Sequence, residues 1–258
     1  MSKKFRKNNL FSKKNFNSFW KNGYIIIPEM LSKELCEYTN SLARLAANDN
    51  FAQIMHLHRE DYLISQAAKK ISNLKNLNSK VLYTQKLKQT ANHFDNLLRN
   101  PDINNYMTWL YSREMVGLLT NIFFKEFGSK YAKQAWEPHQ DNSYLSNENG
   151  LYITVNIALN YMSKKNGGLL LYPGSHKLGN LMAQKKVSYR EKDGKPGNKI
   201  DKKYLKNIKP VPCILNKGDV LFMHGWCVHQ SSNNNSKDSR PLVSLGYIPY
   251  GEKFDPGF

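Results

Sequence analysis

The chain has 258 residues, enough for one sizeable core, and β-rich folds of this length are commonly single domains. Its 38 Lys and Arg against 20 Asp and Glu leave a formal net charge of +18; the lysines are scattered rather than gathered into one stripe, and Lys, Asn, Ile, Tyr and Phe are abundant together as AT-rich coding would make them, so the charge alone does not point to nucleic acid. Cys36, Cys213 and Cys227 show no paired metal-ligand spacing and their odd number argues against a disulfide framework, which fits a reducing cytoplasm, while no stretch approaches the roughly 18 apolar residues of a membrane span.

Residues 1–15 are basic, lack the apolar run of a secretory signal, and are expected to form a frayed tail ahead of a single domain, 16–258. Residues 24–27, closed by Pro28, form a short apolar run expected to be a buried strand. Ser32 offers an N-cap, and Leu35, Tyr38, Leu42, Leu45 and Ala46 recur at helical spacing, predicting a helix that stops near Asn48. His56 and His58 fall in an ambiguous stretch and are taken as polar surface. Leu87, Ala91, Phe94, Leu97 and Leu98 mark a second helix, with His93 off the stripe and expected to face solvent, and Asp102 caps a third through Met107 and Leu110. These helices are expected to cover one sheet.

From Val116 the pattern changes to strands: 118–124, a segment through His139, 151–160, and 169–172 closed by Pro173-Gly174. Several strands at short intervals with Gly and Pro punctuation indicate a mainly β fold with flanking helices, a double-stranded β-helix or cupin-like jelly-roll barrel. Residues 177–210 interrupt the rhythm as a basic, polar insertion. They read equally as a solvated loop or as a lid that recruits substrate.

His139 and Asp141 stand two apart in an extended segment, so they project from one face and can grip one metal. About 90 residues on, the stretch 217–231 brings His224 and His229, and Arg240 follows. Two imidazoles and one carboxylate on one face of a metal, with the other positions open, is the arrangement of non-haem Fe(II) oxygenases. The third ligand is His229 or His224. In an unbroken strand His224 sits at an odd offset from His229, on the opposite face, unless Gly225 resets the parity.

The order and spacing of four stretches resemble the phytanoyl-CoA dioxygenase group of Fe(II)/2-oxoglutarate oxygenases. These are Pro138-His139-Gln140-Asp141-Asn142; Asn166-Gly167-Gly168 through Tyr172-Pro173-Gly174-Ser175-His176; Gly218-Asp219-Val220-Leu221-Phe222; and His229-x-Ser231 with Arg240 eleven residues beyond His229. The opening Phe19-Trp20-Lys21-Asn22-Gly23-Tyr24 is similar as well. The resemblance implies that His139, Asp141 and His229 bind Fe(II), and that Arg240 and Ser231 hold the distal carboxylate of 2-oxoglutarate. It implies further that Asn121 and Asn156 line the co-substrate pocket, Asn156 standing where many relatives have tryptophan. Asp141 occupies the place where related halogenases have a small residue, and so points to hydroxylation. O2 is then the second co-substrate, and succinate and CO2 are products. Gln140 and Asn142 should face away from the metal, and His176 should be a structural or rim residue.

The implied function is a 2-oxoglutarate-dependent dioxygenase hydroxylating an unactivated C–H of a small polar metabolite, an anionic one being favoured by the lysine excess. Two other readings stay open: a cupin-like metal- or ligand-binding protein without turnover, and an oxygenase acting on an acyl-CoA, lipid or nucleic acid. No oligomeric state can be read.

Overall fold

The computed structural model describes residues 10–46, 55–56, 68–129, 131–133, 135–181 and 200–255. Helix α1 (Lys13–Asn22) begins where Ser12 Oγ accepts the Asn15 amide and ends at Gly23, whose φ of 81° suits glycine. It starts inside the stretch 1–15 that the sequence suggests is a tail. Strand β1 (Tyr24–Ile27) follows, then α2 (Lys33–Ala46), where Ser32 Oγ accepts the Leu35 amide as an N-cap should. Residues 47–50, where this helix was expected to stop, lie outside the described residues, as does His58. The two-residue strand β2 (Met55–His56) pairs through its backbone with Ile122 and Asn121.

Helices α3 (Ala68–Ser72), α4 (Leu77–Leu98) and α5 (Pro101–Tyr111) complete the helical layer. The stripe read on α4 is buried throughout: Leu87, Ala91, Phe94, Leu97 and Leu98. Three side chains depart from expectation. Asp102 does not cap α5; Asn100 does, its Oδ1 accepting the Asp102 and Ile103 amides. Tyr38, placed on the apolar stripe of α2, is 45% exposed. His93 does not face solvent; it is half-buried, and its Nε2 lies 2.8 Å from Thr39 Oγ1. Because the Thr39 hydroxyl proton goes to Leu35 O, the imidazole is the donor, and it ties α4 to α2.

The strands are β3 (Met115–Lys125), β4 (Trp136–His139), β5 (Ile153–Ala158), β6 (Leu169–Leu171), β7 (Val211–Pro212), β8 (Val220–His224), β9 (His229–Ser231) and β10 (Arg240–Pro249). They form a six-stranded sheet ordered β1-β8-β5-β10-β3-β2 and a four-stranded sheet ordered β4-β9-β6-β7, all pairings antiparallel. The jelly-roll expectation holds, with one correction: two facing sheets are present and they do not close into a barrel.

Period-2 alternation divides the large sheet. Ile122, Phe124, Ile153, Val155, Ile157, Val220, Phe222, Val243, Leu245 and Tyr247 pack with Phe94, Tyr106 and Met107 of the helices into the larger core. Ala158, Leu221, Met223 and Leu242 point the other way, toward Leu169 and Leu171 of the small sheet. Every residue of β10 is buried because both of its faces are covered.

At the end of β8 the fold buries a histidine among rings. His224 lies against Phe19, Trp20, Tyr111, His176 and Trp226, with centroid separations of 5.2–6.4 Å. Its Nδ1 accepts the Trp226 amide at 3.1 Å. Burial, and next the His176 imidazole, push its pKa down to about 3. The folded protein thus keeps His224 neutral where the unfolded chain, with an ordinary pKa near 6.5, takes up a proton. Stability should therefore fall as pH drops below about 6.5, by up to about 1.4 kcal/mol per unit for each such histidine, continuing toward the folded pKa. Urea unfolding at pH 7, 5.5 and 4.5 checks this. His224→Asn, which keeps an acceptor for the Trp226 amide, should be less stable at pH 7 but lose less of its stability on acidification.

Candidate metal centre

The site begins where β4 meets β9. His139 is the cross-strand partner of His229, and Trp136 that of Ser231. Between these pairs two residues of β4, Glu137 and Pro138, stand against one of β9, Gln230, so β4 carries a bulge that holds Pro138, which has no amide to donate. The bulge restores the parity that a three-residue step would break, and Trp136 and His139 line the same pocket. The two imidazole centroids lie 4.2 Å apart.

Asp141 lies past the end of β4. It is not on the strand with His139, as the two-residue spacing suggested, but opens a 3-10 turn, Asp141–Tyr144, after an extended Gln140. That extended residue still returns the carboxylate to the face of His139. Asp141 Oδ1 is 3.6 Å from His139 Nε2 and 3.4 Å from His229 Nε2. The three groups each offer one ligand atom, all within 4.8 Å of one another.

Each imidazole is oriented by its other nitrogen. His139 Nδ1 lies 2.8 Å from Glu137 O and His229 Nδ1 3.2 Å from Cys227 O. A carbonyl can only accept, so both Nδ1 atoms carry a proton and both Nε2 atoms are turned to the cluster, the orientation a metal requires. Burial, and then the neighbouring His229, hold the His139 pKa below the usual histidine range. Asp141 Oδ2 accepts a 2.6 Å hydrogen bond from Thr154 Oγ1, leaving Oδ1 to meet the imidazoles. No thiolate competes: the Cys227 thiol is fully buried and its pKa is pushed up to about 12. The set is therefore two oriented imidazoles and one oriented carboxylate, suited to a divalent first-row cation.

The remaining residues expected at the site converge on the same pocket: Asn121, Asn156, Ser231 and Arg240 all line it with the triad. Asn121, Ser244 and Asn156 are cross-strand neighbours on β3, β10 and β5, and form one polar row over the wall. All three are buried, and among the described residues Asn121 Oδ1 and Asn156 Nδ2 have no hydrogen-bond partner. Buried polar atoms are seldom left so, and a polar ligand in the pocket would satisfy both. Arg240 is 3% exposed, four residues from Ser244 on the same face of β10.

The structure separates the two candidate histidines of 217–231. His224 ends β8 in the large sheet and His229 begins β9 in the small one. At Gly225 between them, a Cβ would lie 2.6 Å from Tyr152 O, so the chain crosses from sheet to sheet where only glycine fits. His176 is structural: its Nε2 donates to Trp20 O at 3.1 Å. Gln140 and Asn142 do turn from the cluster. Gln140 Nε2 donates to Gly179 O and Trp226 O and its Oε1 accepts the Leu181 amide, all at 2.8 Å; Asn142 Nδ2 donates to Asn147 O. The lid reading of 177–210 falls mainly on 182–199, outside the described residues. Thr154 and Ser244 were not foreseen, yet both share a strand face with a predicted pocket residue.

A profile of the phytanoyl-CoA dioxygenase (PhyH) family matches residues 19–242. The chain belongs to that family. Among curated members, phytanoyl-CoA dioxygenase 1 of Oryza sativa subsp. japonica is 33% identical over 111 residues, 43% of this chain and 38% of that protein. The phytanoyl-CoA dioxygenase domain-containing protein 1 of Mus musculus is 28% identical over 171 residues, 64% of this chain and 56% of its own length. The chain thus spans about half the length of the curated relatives it matches. Solved structures that share the fold include two with bound co-substrate. The epimerase SnoN from nogalamycin biosynthesis, in complex with Fe3+, alpha ketoglutarate and nogalamycin RO, has a TM-score of 0.66 at 18% identity, covering 97% of this chain and 88% of that one. EctD from S. alaskensis, with 2-oxoglutarate and 5-hydroxyectoine, has a TM-score of 0.62 at 16% identity, covering 96% and 80%.

If Thr154 orients Asp141, Thr154→Val should weaken Mn(II) binding by about 10- to 100-fold, while Thr154→Ser keeps most of it. Competition against a fluorescent chelator measures both.

Proposed function

We propose that the chain is an Fe(II)/2-oxoglutarate-dependent dioxygenase that hydroxylates an unactivated C–H of a small polar metabolite. The observation that carries this reading is the convergence of His139, Asp141 and His229 within 4.8 Å, in the pocket that also holds Arg240 and Ser231. His139, Asp141 and His229 would hold the iron through Nε2, Oδ1 and Nε2. Arg240 stays charged when buried and presents a planar fork to the distal carboxylate of 2-oxoglutarate, with the Ser231 hydroxyl beside it. The amides of Asn121 and Asn156 flank Ser244 on the pocket wall and, among the described residues, leave one acceptor and one donor without partners. Fe(II) bound there would, with 2-oxoglutarate and O2, supply the oxidising chemistry, and succinate and CO2 would leave.

The protein's own task is then to place and to exclude. Trp136, Phe123, Leu169 and Leu242 wall the pocket with apolar surface around the polar row. Asp141 fills the position whose loss would leave room for a halide, which supports hydroxylation. Among the described residues, Arg240 is the only cation lining the pocket, and 2-oxoglutarate takes it. The anionic variant of the substrate reading therefore rests on lysines elsewhere in the chain. What supports a compact polar metabolite is the mixed lining, together with 5-hydroxyectoine in the related EctD structure. The family's name makes an acyl-CoA the alternative.

Among the described residues no helix is long and apolar enough to cross a membrane. A cytoplasmic location is supported by three free, buried cysteines.

Anaerobic addition of Fe(II) and 2-oxoglutarate should give a visible charge-transfer band, and air should then release succinate. His139→Ala should abolish both. Arg240→Ala should weaken 2-oxoglutarate binding on the order of 100-fold and leave metal binding largely in place. Absence of the band and of succinate with wild-type protein would favour a binding protein without turnover. Retention on DNA or RNA that weakens steeply with salt would favour a nucleic-acid substrate.

A further inference from the structure

Lys125 is a second buried cation, and the site as described gives it no task. It ends β3 as the cross-strand partner of Arg240, and its side chain is 0% exposed. Burying an ammonium is costly, and burying it beside a guanidinium adds repulsion. The fold nevertheless builds a place for it. A Cβ on Gly167 would lie 2.7 Å from Lys125 Cδ, so the Asn166-Gly167-Gly168 turn leaves room for the lysine stem. Asn234 Nδ2 fixes the backbone by donating to Lys125 O at 2.7 Å. The Lys125 Nζ lies 2.9 Å from Ser231 Oγ and 2.5 Å from Ser232 O.

Ser231, not Lys125, lines the pocket, so the hydrogen-bonded route from the lysine to a ligand runs through that hydroxyl. An ammonium has three protons to give and no lone pair. When it donates to Ser231 Oγ, the serine proton must point elsewhere, and the pocket beside Arg240 is where an acceptor would come. A neutral amine can instead accept the serine proton, and Ser231 then presents lone pairs to the pocket. We propose that Lys125 is a positioning residue for the co-substrate: charged, it makes Ser231 a donor toward the carboxylate that Arg240 holds, and binding of that dianion draws a proton onto Lys125.

This rests on the 2-oxoglutarate reading above and deepens it. Burial, and next Arg240, lower the Lys125 pKa to about 6, so the free protein at neutral pH holds it largely neutral. The groups that face its amine are Arg240 from β10, the Ser231 hydroxyl from β9 and the Ser232 carbonyl after it. The next residue, Glu126, is engaged with Arg44 and Ser239, and Lys237 and Asp238 are exposed. An arriving carboxylate restores the charged form. Affinity should thus weaken as pH rises above about 6, approaching tenfold per unit until the pKa of the bound state is reached.

The test is calorimetric titration of the full-length, Mn(II)-loaded protein with 2-oxoglutarate at pH 7.5, in two buffers of different ionisation enthalpy. Wild type should take up close to one proton. Lys125→Met should bind Mn(II) as wild type does, take up no proton, bind 2-oxoglutarate at least about tenfold more weakly at pH 6, and raise its KM far more than it lowers kcat. In a Ser231→Ala background the same change should cost much less, because the lysine acts through the hydroxyl. Binding by wild type without proton uptake, or an effect of Lys125→Met that is the same with and without Ser231, would overturn the proposal. Failure of wild type to bind 2-oxoglutarate would overturn the co-substrate reading itself.

Discussion

The site depends on one register. β4 and β9 are short, and their pairing sets His139 opposite His229. A one-residue slip would send one imidazole to the outer face of the sheet. Such short strands fix their register weakly by themselves, and neighbours reinforce it. Leu171 of β6 pairs with His229 from the other side, and the Tyr172 amide donates to Val228 O. Gln140, wholly buried between two of the ligands, holds Trp226 O ahead of β9 and the backbone at 179–181. Residues that never touch the metal thus decide whether a metal can be held.

The large sheet contributes through the division of its faces. A polar residue on a strand normally marks the solvent side, but here the helices cover one face and the small sheet the other. Thr154, Asn156, Asn121, Ser244 and Arg240 are therefore polar groups in a buried wall, tolerated because they surround a pocket. Asp141 is steadied by this wall through Thr154, so the carboxylate belongs to both sheets.

This also explains what could be read from the residues alone. The apolar halves of β5, β8 and β10 and the stripe on α4 follow from periodicity, and the jelly roll from their punctuation. His139 and Asp141 were found together because an extended Gln140 preserves period 2, even though Asp141 has left the strand. The choice of His229 over His224 could not come from parity, because the chain changes sheet at Gly225 and a count along one strand does not apply. It came from the resemblance. His93 was misplaced because helical periodicity reports distance from the apolar stripe, whereas a hydroxyl on the neighbouring helix drew the imidazole inward. Strand intervals and punctuation point to a jelly-roll barrel but not to whether it closes, because strand pairing is not written in any one segment. Thr154 and Lys125 were within reach, each lying on the same face of a strand as a residue already suspected.

The described residues on either side of 182–199 are anchored to the stretch 138–140, one at the end of β4 and one just past it. The Leu181 amide is held by Gln140 Oε1, and the Ile200 amide by Pro138 O at 2.8 Å. These anchors flank His139, so Leu181 and Ile200 are both tied to the stretch that carries the metal ligands. A change that loosens either anchor would therefore reach the ligands directly, through the backbone of 138–140.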